Sequence, residues 1–307
     1  MCKTDNKYVN SFLSYLKTIK GKSANTIEGY DIDLNLFIEF IKEYKQWDYI
    51  GKEQFEIIQL EDLYNFMGYL ESERNNSANT RSRKTYCLKS FFKYLELTNV
   101  ISKNPTNMLE RPKVGKRTTT YLTVEEMKKL LKTIEEYDME KDYKRDKCLI
   151  TLLLNTGLRL SEITDIKLSD INGDTLIVIG KGDKEAEIFL NDSCVKAINE
   201  WKEIRETKNI KSKEDEKYLF ISRVGRHINK KSIENVVKKY ITLAGLSENV
   251  TTHKLRHSFA TMIYEQTGDI RMVQTLLRHS DISTTMIYTH VNNSDIKNVV
   301  SNNLLNK

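Results

Sequence analysis

Apolar side chains recur at helical spacing through the first hundred residues, and the same pattern occurs twice. The string Ser-Ala-Asn-Thr at residues 23–26 returns at residues 77–80. Apolar positions spaced i, i+3, i+4 and i+7 precede and follow each copy, which indicates one buried face per helix. The matched sets are Val9, Phe12, Leu13, Leu16 with Leu63, Phe66, Met67, Leu70, and Leu34, Phe37, Ile38, Ile41 with Leu88, Phe91, Phe92, Leu95. The polar strings supply helix N-caps, so the pattern predicts a compact bundle of four helices.

The pattern changes after residue 118, where helical stretches alternate with short β-type runs. In chain order these are a helix opened by a capping box at Thr123 and Glu126, an apolar helical run at 148–154 stopped at 155–157, a hairpin of strands 175–180 and 186–190, and one further strand at 218–221. The remainder has helical periodicity. The predicted fold class is therefore mainly α with a small antiparallel β-sheet.

The two prolines of the chain, Pro105 and Pro112, both lie between these two parts. The surrounding residues lack apolar periodicity, which is typical of an inter-domain connection. The 307 residues are also enough for two separate cores. We therefore predict a helical domain at 1–103, a linker at 104–117 and a second domain at 118–307.

Positive charge is concentrated at this junction. Residues 74–117 carry 11 Lys and Arg against 2 Asp and Glu, whereas residues 1–73 carry 8 against 13. One helix of the repeat is cationic where its twin is neutral to acidic, which favours contact with a nucleic-acid backbone over a merely solvated helix face. The candidate DNA-binding residues are Arg81, Arg83, Lys84, Lys89, Lys93, Lys113, Lys116 and Arg117.

Other features limit the class of protein. No apolar run approaches the ~20 residues that a bilayer requires, and the N-terminus lacks an apolar leader. The four cysteines are scattered without paired spacing, which argues against disulfides and a zinc site. We expect a cytoplasmic protein that makes no membrane contact and needs no metal or other cofactor.

Candidate chemistry lies in the second domain, where all five histidines occur from residue 227 onward. His253 and Arg256 are three residues apart and so share a helix face. Such a pair alone is weak evidence, because a buried structural histidine explains it equally well. Together, however, two arginines can clamp a phosphodiester, a tyrosine can attack phosphorus, and a histidine or lysine can move the proton.

Four motifs resemble those of the tyrosine recombinases, the phage integrase family. They are Thr-Gly-Leu-Arg-Leu-Ser-Glu at 156–162, Gly-Lys-Gly-Asp-Lys-Glu at 180–185, Thr-His-Lys-Leu-Arg-His-Ser-Phe-Ala-Thr at 252–261, and Leu-Arg-His-Ser-Asp-Ile-Ser-Thr-Thr at 277–285 with Ile-Tyr-Thr-His-Val at 287–291. The first domain is similar to the family's core-binding domain. The total length resembles the Xer-type branch.

The resemblance implies roles for individual residues. Arg159 and Arg256 would clamp the scissile phosphate, and His279 would donate a hydrogen bond to it. His253 would be the general acid or base. Glu162 would orient a neighbouring basic group.

The remaining implied roles concern strand cleavage and assembly. Tyr288 would attack the phosphate to form a 3′-phosphotyrosyl bond, and Lys181 would protonate the departing 5′-oxygen. A C-terminal helix at 295–306 would dock on a neighbouring protomer in a DNA-bound tetramer, formed with further copies or with a related recombinase. Strand exchange would then proceed through a Holliday junction.

Two positions depart from the family pattern. Arg278 stands where glycine is usual before the second histidine, and it is expected either to add a phosphate contact or to crowd the loop. The strand 185–190 carries Glu185 and Glu187 where an arginine and a Val-Pro pair are common. A backbone contact to DNA is expected to be lost there, with the two acids facing DNA or solvent.

Three alternative activities share much of this pattern. One is a non-catalytic DNA-binding regulator, and another is a monomeric nickase that resembles type IB topoisomerases. The third is an integrase, excisionase or invertase of a mobile or phase-variable element with the same chemistry. The regulator has no need for the complete set of six catalytic side chains.

Overall fold

A computed structural model describes residues 5–115, 121–137, 142–180 and 185–278 of the chain. The chain divides into two compact units, Met1–Arg117 and Thr118–Lys307. Among the described residues, no helix is both long enough and apolar enough to cross a bilayer.

The first unit is a helical bundle built on the duplicated pattern. Its helices are α1 (Lys7–Thr18), α2 (Ala24–Lys45), α3 (Lys52–Glu56), α4 (Leu60–Ser72) and α5 (Ala78–Leu97). Ser23 and Ser77 cap α2 and α5 by accepting the backbone N–H of Thr26 and Thr80. The four predicted helices are present, and the fifth, α3, was not predicted.

Aromatic rings fill the centre of this bundle. The fully buried rings are Phe12, Phe37, Phe55, Phe66, Phe91 and Phe92. Their ring centroids lie 5.2–6.3 Å apart, mostly edge to face, which is the preferred geometry of aromatic pairs. Phe55 comes from the short helix α3, so this helix contributes its one buried ring to the core.

The beginning of the predicted linker belongs to this first unit. Leu109 packs into the apolar core, and Asn104 and Thr106 are buried. The Asn104 side chain accepts hydrogen bonds from the backbone N–H and the hydroxyl of Thr106. Proline and polar composition suggested a connection from residue 104, whereas the structure gives residues 104–109 a packed turn.

The second unit packs seven helices and a three-stranded antiparallel sheet in its described part. The helices are α6 (Val124–Glu136), α7 (Tyr143–Thr156), α8 (Leu160–Thr164), α9 (Asp192–Glu206), α10 (Lys230–Leu243), α11 (Thr252–Thr267) and α12 (Ile270–Leu277). The strands are β1 (Ile171–Asn172), β2 (Thr175–Ile179) and β3 (Glu185–Phe189), in the order β1-β2-β3. The apolar helix α7 is central, and its residues 148–154 are all buried.

One predicted element takes another form. Residues 218–221 make isolated bridges, Lys167 to Tyr218 and Ile221 to His227, instead of a strand of the sheet. Leu219 and Phe220 are buried because they pack in the core around α7, and not because they form part of the sheet. The indole N–H of Trp201 donates to the carbonyl of Leu219 at 2.8 Å.

Gly157 ends α7 in the left-handed region, with φ of 59°. A Cβ placed there would lie 2.5 Å from Cδ1 of Phe259 and 3.0 Å from Cδ2 of Leu277. Glycine is therefore required both by the turn and by the close approach of α11 and α12. This turn leads directly into Arg159.

We expect Gly157→Ala to lower the free energy of unfolding by about 2–4 kcal/mol, from the left-handed backbone and the overpacked contact together. Gly268→Ala is the matched control, because Gly268 also has positive φ (65°) but has no atom within 4 Å of a new Cβ. Urea unfolding followed by circular dichroism should show the smaller loss, about 1 kcal/mol, for the control. Equal losses in the two variants would contradict the close-approach argument.

Candidate active site

The turn between α7 and α8 places Arg159 beside the carboxylate of Glu162. Arg159 is the N-cap of α8, and its backbone N–H donates to Oε2 of Glu162 at 2.8 Å. Its Nη1 also donates to Oε1 of Glu162 at 2.6 Å. Glu162 is buried, whereas Arg159 keeps 38% of its side chain exposed. The carboxylate thus fixes the guanidinium at the protein surface.

Arg256 lies on α11 and is almost completely buried. Its two terminal nitrogens donate to the backbone carbonyls of Gly157 and Leu277, and Nη1 lies 3.9 Å from Oε2 of Glu162. One guanidinium therefore joins α11 to the turn before α8 and to the end of α12. Arg159 and Arg256, the predicted phosphate clamp, therefore both lie close to the carboxylate of Glu162.

A third guanidinium reaches the same carboxylate. Nη2 of Arg278, the residue after α12, donates to Oε2 of Glu162 at 2.7 Å. Burial acts to raise the pKa of Glu162, but the hydrogen bond from the Arg159 backbone and the charge of Arg278 lower it below the ordinary value. Glu162 is consequently an ionised acceptor among three cations.

His253 lies one helical turn before Arg256, and part of its side chain is accessible to solvent. Its ring meets that of His257 edge to face, with centroids 4.4 Å apart. Desolvation, together with the positive charges of Arg256 and Arg159, lowers the pKa of His253 from its ordinary value. The neutral imidazole is therefore favoured near pH 7, and it can accept or pass on a proton beside the arginines.

Several predicted residues lie outside the described residues. They are Lys181, His279, Tyr288, Lys116, Arg117 and the segment 295–306. The described strands β2 and β3 lie on either side of residues 181–184 in the sequence and pair Ile179 with Glu185 and Ile177 with Glu187. Both glutamates are exposed, as was expected for this strand. In the described residues, no group of three or more His, Cys, Asp or Glu side chains has the geometry of a metal site.

The basic helix α5 requires one correction. Lys84 was predicted to contact DNA, but its side chain is buried and its Nζ lies 2.6 Å from Oδ1 of Asp33. Arg83 also donates to Asp33, although half of its side chain remains exposed. Both cations are drawn to a carboxylate that is only 2% exposed and would be unstable there without them.

The other candidates on the basic segment differ in their surroundings. Arg81 lies 2.7 Å from a carboxylate oxygen of Glu71. Lys93 and Lys113 are exposed, and Lys89 is partly exposed. Asp33 was not predicted as a buried partner of α5, although an acid at this position interrupts the buried face that its repeat partner Cys87 completes.

Residues 120–295 match the family described as "Phage integrase family", and residues 9–99 match "Phage integrase, N-terminal SAM-like domain". The chain therefore belongs to the phage integrase family of tyrosine recombinases. The two matches fall on the two units of the structure.

Similar proteins indicate the branch of the family to which the chain is related. It is 42% identical to "Tyrosine recombinase XerC" of Caldanaerobacter subterraneus, over 97% of this chain and 87% of the relative. It is 31% identical to "Tyrosine recombinase XerD" of Listeria monocytogenes, over 96% and 97% of the two chains. The crystal structure of the XerH site-specific recombinase bound to palindromic difH substrate, a post-cleavage complex, has a TM-score of 0.75 at 25% identity, covering 95% of this chain and 84% of that one.

The chain is accordingly a tyrosine site-specific recombinase of the Xer type, as the four motifs predicted. The predicted fold class, mainly α with a small antiparallel sheet, is confirmed. The similarity extends over both units of the chain.

The electrostatic argument for His253 can be tested by titration. We expect the imidazole to titrate below about 6.5, the ordinary histidine value, because desolvation and two arginines disfavour its charged form. Arg159→Gln should raise the pKa of His253, since it removes one of those positive charges. Arg271→Gln, which removes an exposed arginine of α12, is the control. NMR titration that gave the same shift in both variants would refute the assignment to Arg159.

Proposed function

We propose that this recombinase cuts and rejoins duplex DNA with Tyr288 as the nucleophile and with Arg159 and Arg256 as the phosphate-binding pair. The observation that carries the proposal is the convergence of Arg159 and Arg256 on the buried carboxylate of Glu162, with His253 close enough that both arginines lower its pKa. The DNA complex of the similar XerH recombinase supports duplex DNA as the substrate.

The arginines supply charge where the reaction develops it. A phosphodiester carries one negative charge, and a second develops when an oxygen nucleophile adds to phosphorus. Arg159 is partly exposed and held in a fixed position, so its remaining N–H donors can bind a non-bridging oxygen. A preorganised cation costs no reorganisation at the moment of reaction, which is why it stabilises the transition state more than water does.

Proton transfer completes the chemistry. The Tyr288 hydroxyl loses its proton as its oxygen bonds to phosphorus, and His253, neutral near pH 7, is suited to accept it. The bond to the 5′-oxygen breaks, and Lys181 supplies the proton that makes this oxygen a free hydroxyl. The product is a 3′-phosphotyrosyl bond. A 5′-hydroxyl of the partner strand then attacks the phosphorus of that bond and releases the tyrosine. Strand exchange by such steps proceeds through a Holliday junction.

DNA affinity is assigned to the exposed cations of the basic segment. Lys93 and Lys113 are exposed, and Lys89 and Arg83 keep part of their surface accessible. Lys116 and Arg117 continue the same stretch. Such groups neutralise phosphates and release counterions, which gives affinity without reading the sequence of the bases.

Assembly is the last part of the proposal. Strand exchange couples the active sites of several protomers, and the segment 295–306 carries an apolar stripe at Ile296, Val299, Val300 and Leu304. Docking of this segment on a neighbouring copy, or on a related recombinase, would hold a tetramer together on DNA.

The nucleophile is tested with Tyr288→Phe, which removes only the hydroxyl. We expect near-normal affinity for a DNA site taken from the sequence flanking the gene, and no covalent protein–DNA adduct on a nicked duplex. Tyr264→Phe is the control and should form the adduct at the wild-type rate. An adduct that persists in Tyr288→Phe would move the nucleophile elsewhere, with Tyr264 the next candidate.

Two lysines of α5 should separate stability from DNA binding. Lys84→Met should lower the free energy of unfolding by about 1–3 kcal/mol, because buried Asp33 loses a charged partner. Lys93→Gln should leave stability within about 0.5 kcal/mol, weaken DNA binding, and reduce the slope of log affinity against log salt by about 0.9. Urea unfolding and binding titrations at several salt concentrations measure both, and exchanged outcomes would refute these assignments.

A further inference from the structure

Arg278 ends α12 in a backbone conformation that favours glycine. Its φ and ψ are 56° and 43°, in the left-handed region, and its backbone N–H contacts the carbonyls of Gln274 and Thr275. An L-residue with a side chain is disfavoured there, and glycine is the usual choice at such a helix end. An arginine at this position therefore needs a contact that offsets the backbone strain.

The side chain of Arg278 supplies that contact. Its Nη2 lies 2.7 Å from Oε2 of Glu162, and its Nη1 donates to the carbonyl of Leu276 at 3.2 Å. The pair is desolvated, with 15% of the Arg278 side chain and 3% of the Glu162 side chain exposed. A charge-assisted hydrogen bond between desolvated groups is considerably stronger than a surface ion pair.

The same carboxylate holds Arg159 through two hydrogen bonds. Arg278 and Arg159 are thus linked by one buried group, although they are 119 positions apart in the sequence. Arg256 joins the same two segments, because it donates to the carbonyl of Gly157, before α8, and to the carbonyl of Leu277, at the end of α12. Two guanidiniums therefore tie the end of α12 to the turn that carries Arg159.

We propose that Arg278 is a positioning residue for strand cleavage, which through Glu162 fixes both the Arg159 guanidinium and the chain that leads into His279. This role rests on the proposed function, because it needs Arg159 and His279 to act on the scissile phosphate. Arg278 acts through the carboxylate, since Glu162 is the group that it shares with Arg159. Its charge also keeps that carboxylate ionised.

The test compares Arg278→Gly and Arg278→Met with the wild-type protein. Glycine relieves the backbone strain, and methionine keeps the long stem without the charge. We expect both variants to bind a nicked duplex with affinity within about twofold of wild type. The single-turnover rate of adduct formation at saturating protein should fall about 10–100-fold, the usual penalty for misplaced catalytic groups.

Two further variants control for backbone and charge. Gln46→Gly removes a side chain from another left-handed helix end, in the first unit, with φ of 55°. It should leave both affinity and cleavage unchanged. Arg278→Lys keeps the charge but not the planar fork, and it should recover part of the lost rate. A purely structural role for Arg278 would predict no such partial recovery at equal affinity.

Coupling through Glu162 is measured with a double-mutant cycle. In a Glu162→Gln background, Arg278→Gly should reduce the cleavage rate by less than about threefold further, because both changes break one link. The positioning role of Arg278 would be overturned if Arg278→Gly and Arg278→Met cleaved DNA at the wild-type rate. It would also be overturned if DNA affinity and cleavage rate fell in parallel. A wild-type protein that forms no adduct on any candidate site would refute the proposed function itself, and this role with it.

Discussion

The carboxylate of Glu162 is buried, and it stays ionised because guanidiniums surround it. Two hydrogen bonds from Arg159, one from Arg278 and the nearby charge of Arg256 replace the water that a surface carboxylate would have. The dependence is mutual, since three guanidiniums would repel one another without an anion between them. Together with the carbonyls that Arg256 binds, this one group joins the α7–α8 turn, α11 and the end of α12.

The first unit uses the same principle for a different purpose. Asp33 is buried beneath α5, and it draws Lys84 and part of Arg83 toward the bundle. This pairing fixes α5 against α2, and the exposed lysines further along α5 are then presented from a rigid helix. The number of cations in a basic helix therefore overestimates the charge available to a phosphate backbone, because some of the cations pair with a buried carboxylate and stabilise the fold.

The elements that could be predicted are those whose signal is local or periodic. The long helices follow from apolar spacing, and the Ser23, Ser77 and Thr123 caps follow from side-chain oxygens at fixed offsets. The helix α3 is only five residues long, too short for a period to be recognised. Residues 218–221 have the apolar character of a strand because they are buried, and burial alone does not specify pairing.

The residue types of the site could be predicted from the sequence, but the hydrogen bonds and ion pairs that connect them could not. Motifs identified Arg159, Glu162, His253 and Arg256 one at a time, whereas their connection depends on contacts between helices far apart in the sequence. Arg278 illustrates the limit, because neither its left-handed backbone nor its bond to Glu162 can be read from an arginine before a histidine. Such contacts are properties of the assembled tertiary structure.

The reaction itself explains why cations held by protein groups suit this enzyme. Each transesterification exchanges one phosphodiester for another, so the site must stabilise the same phosphate charge in both directions. In the proposed function, Arg159 and Arg256 supply this positive charge, and Arg278 acts only through Glu162. Because Glu162 and backbone carbonyls hold the cations before DNA binds, little reorganisation is needed in either direction. Cleavage and rejoining can then use one arrangement of side chains.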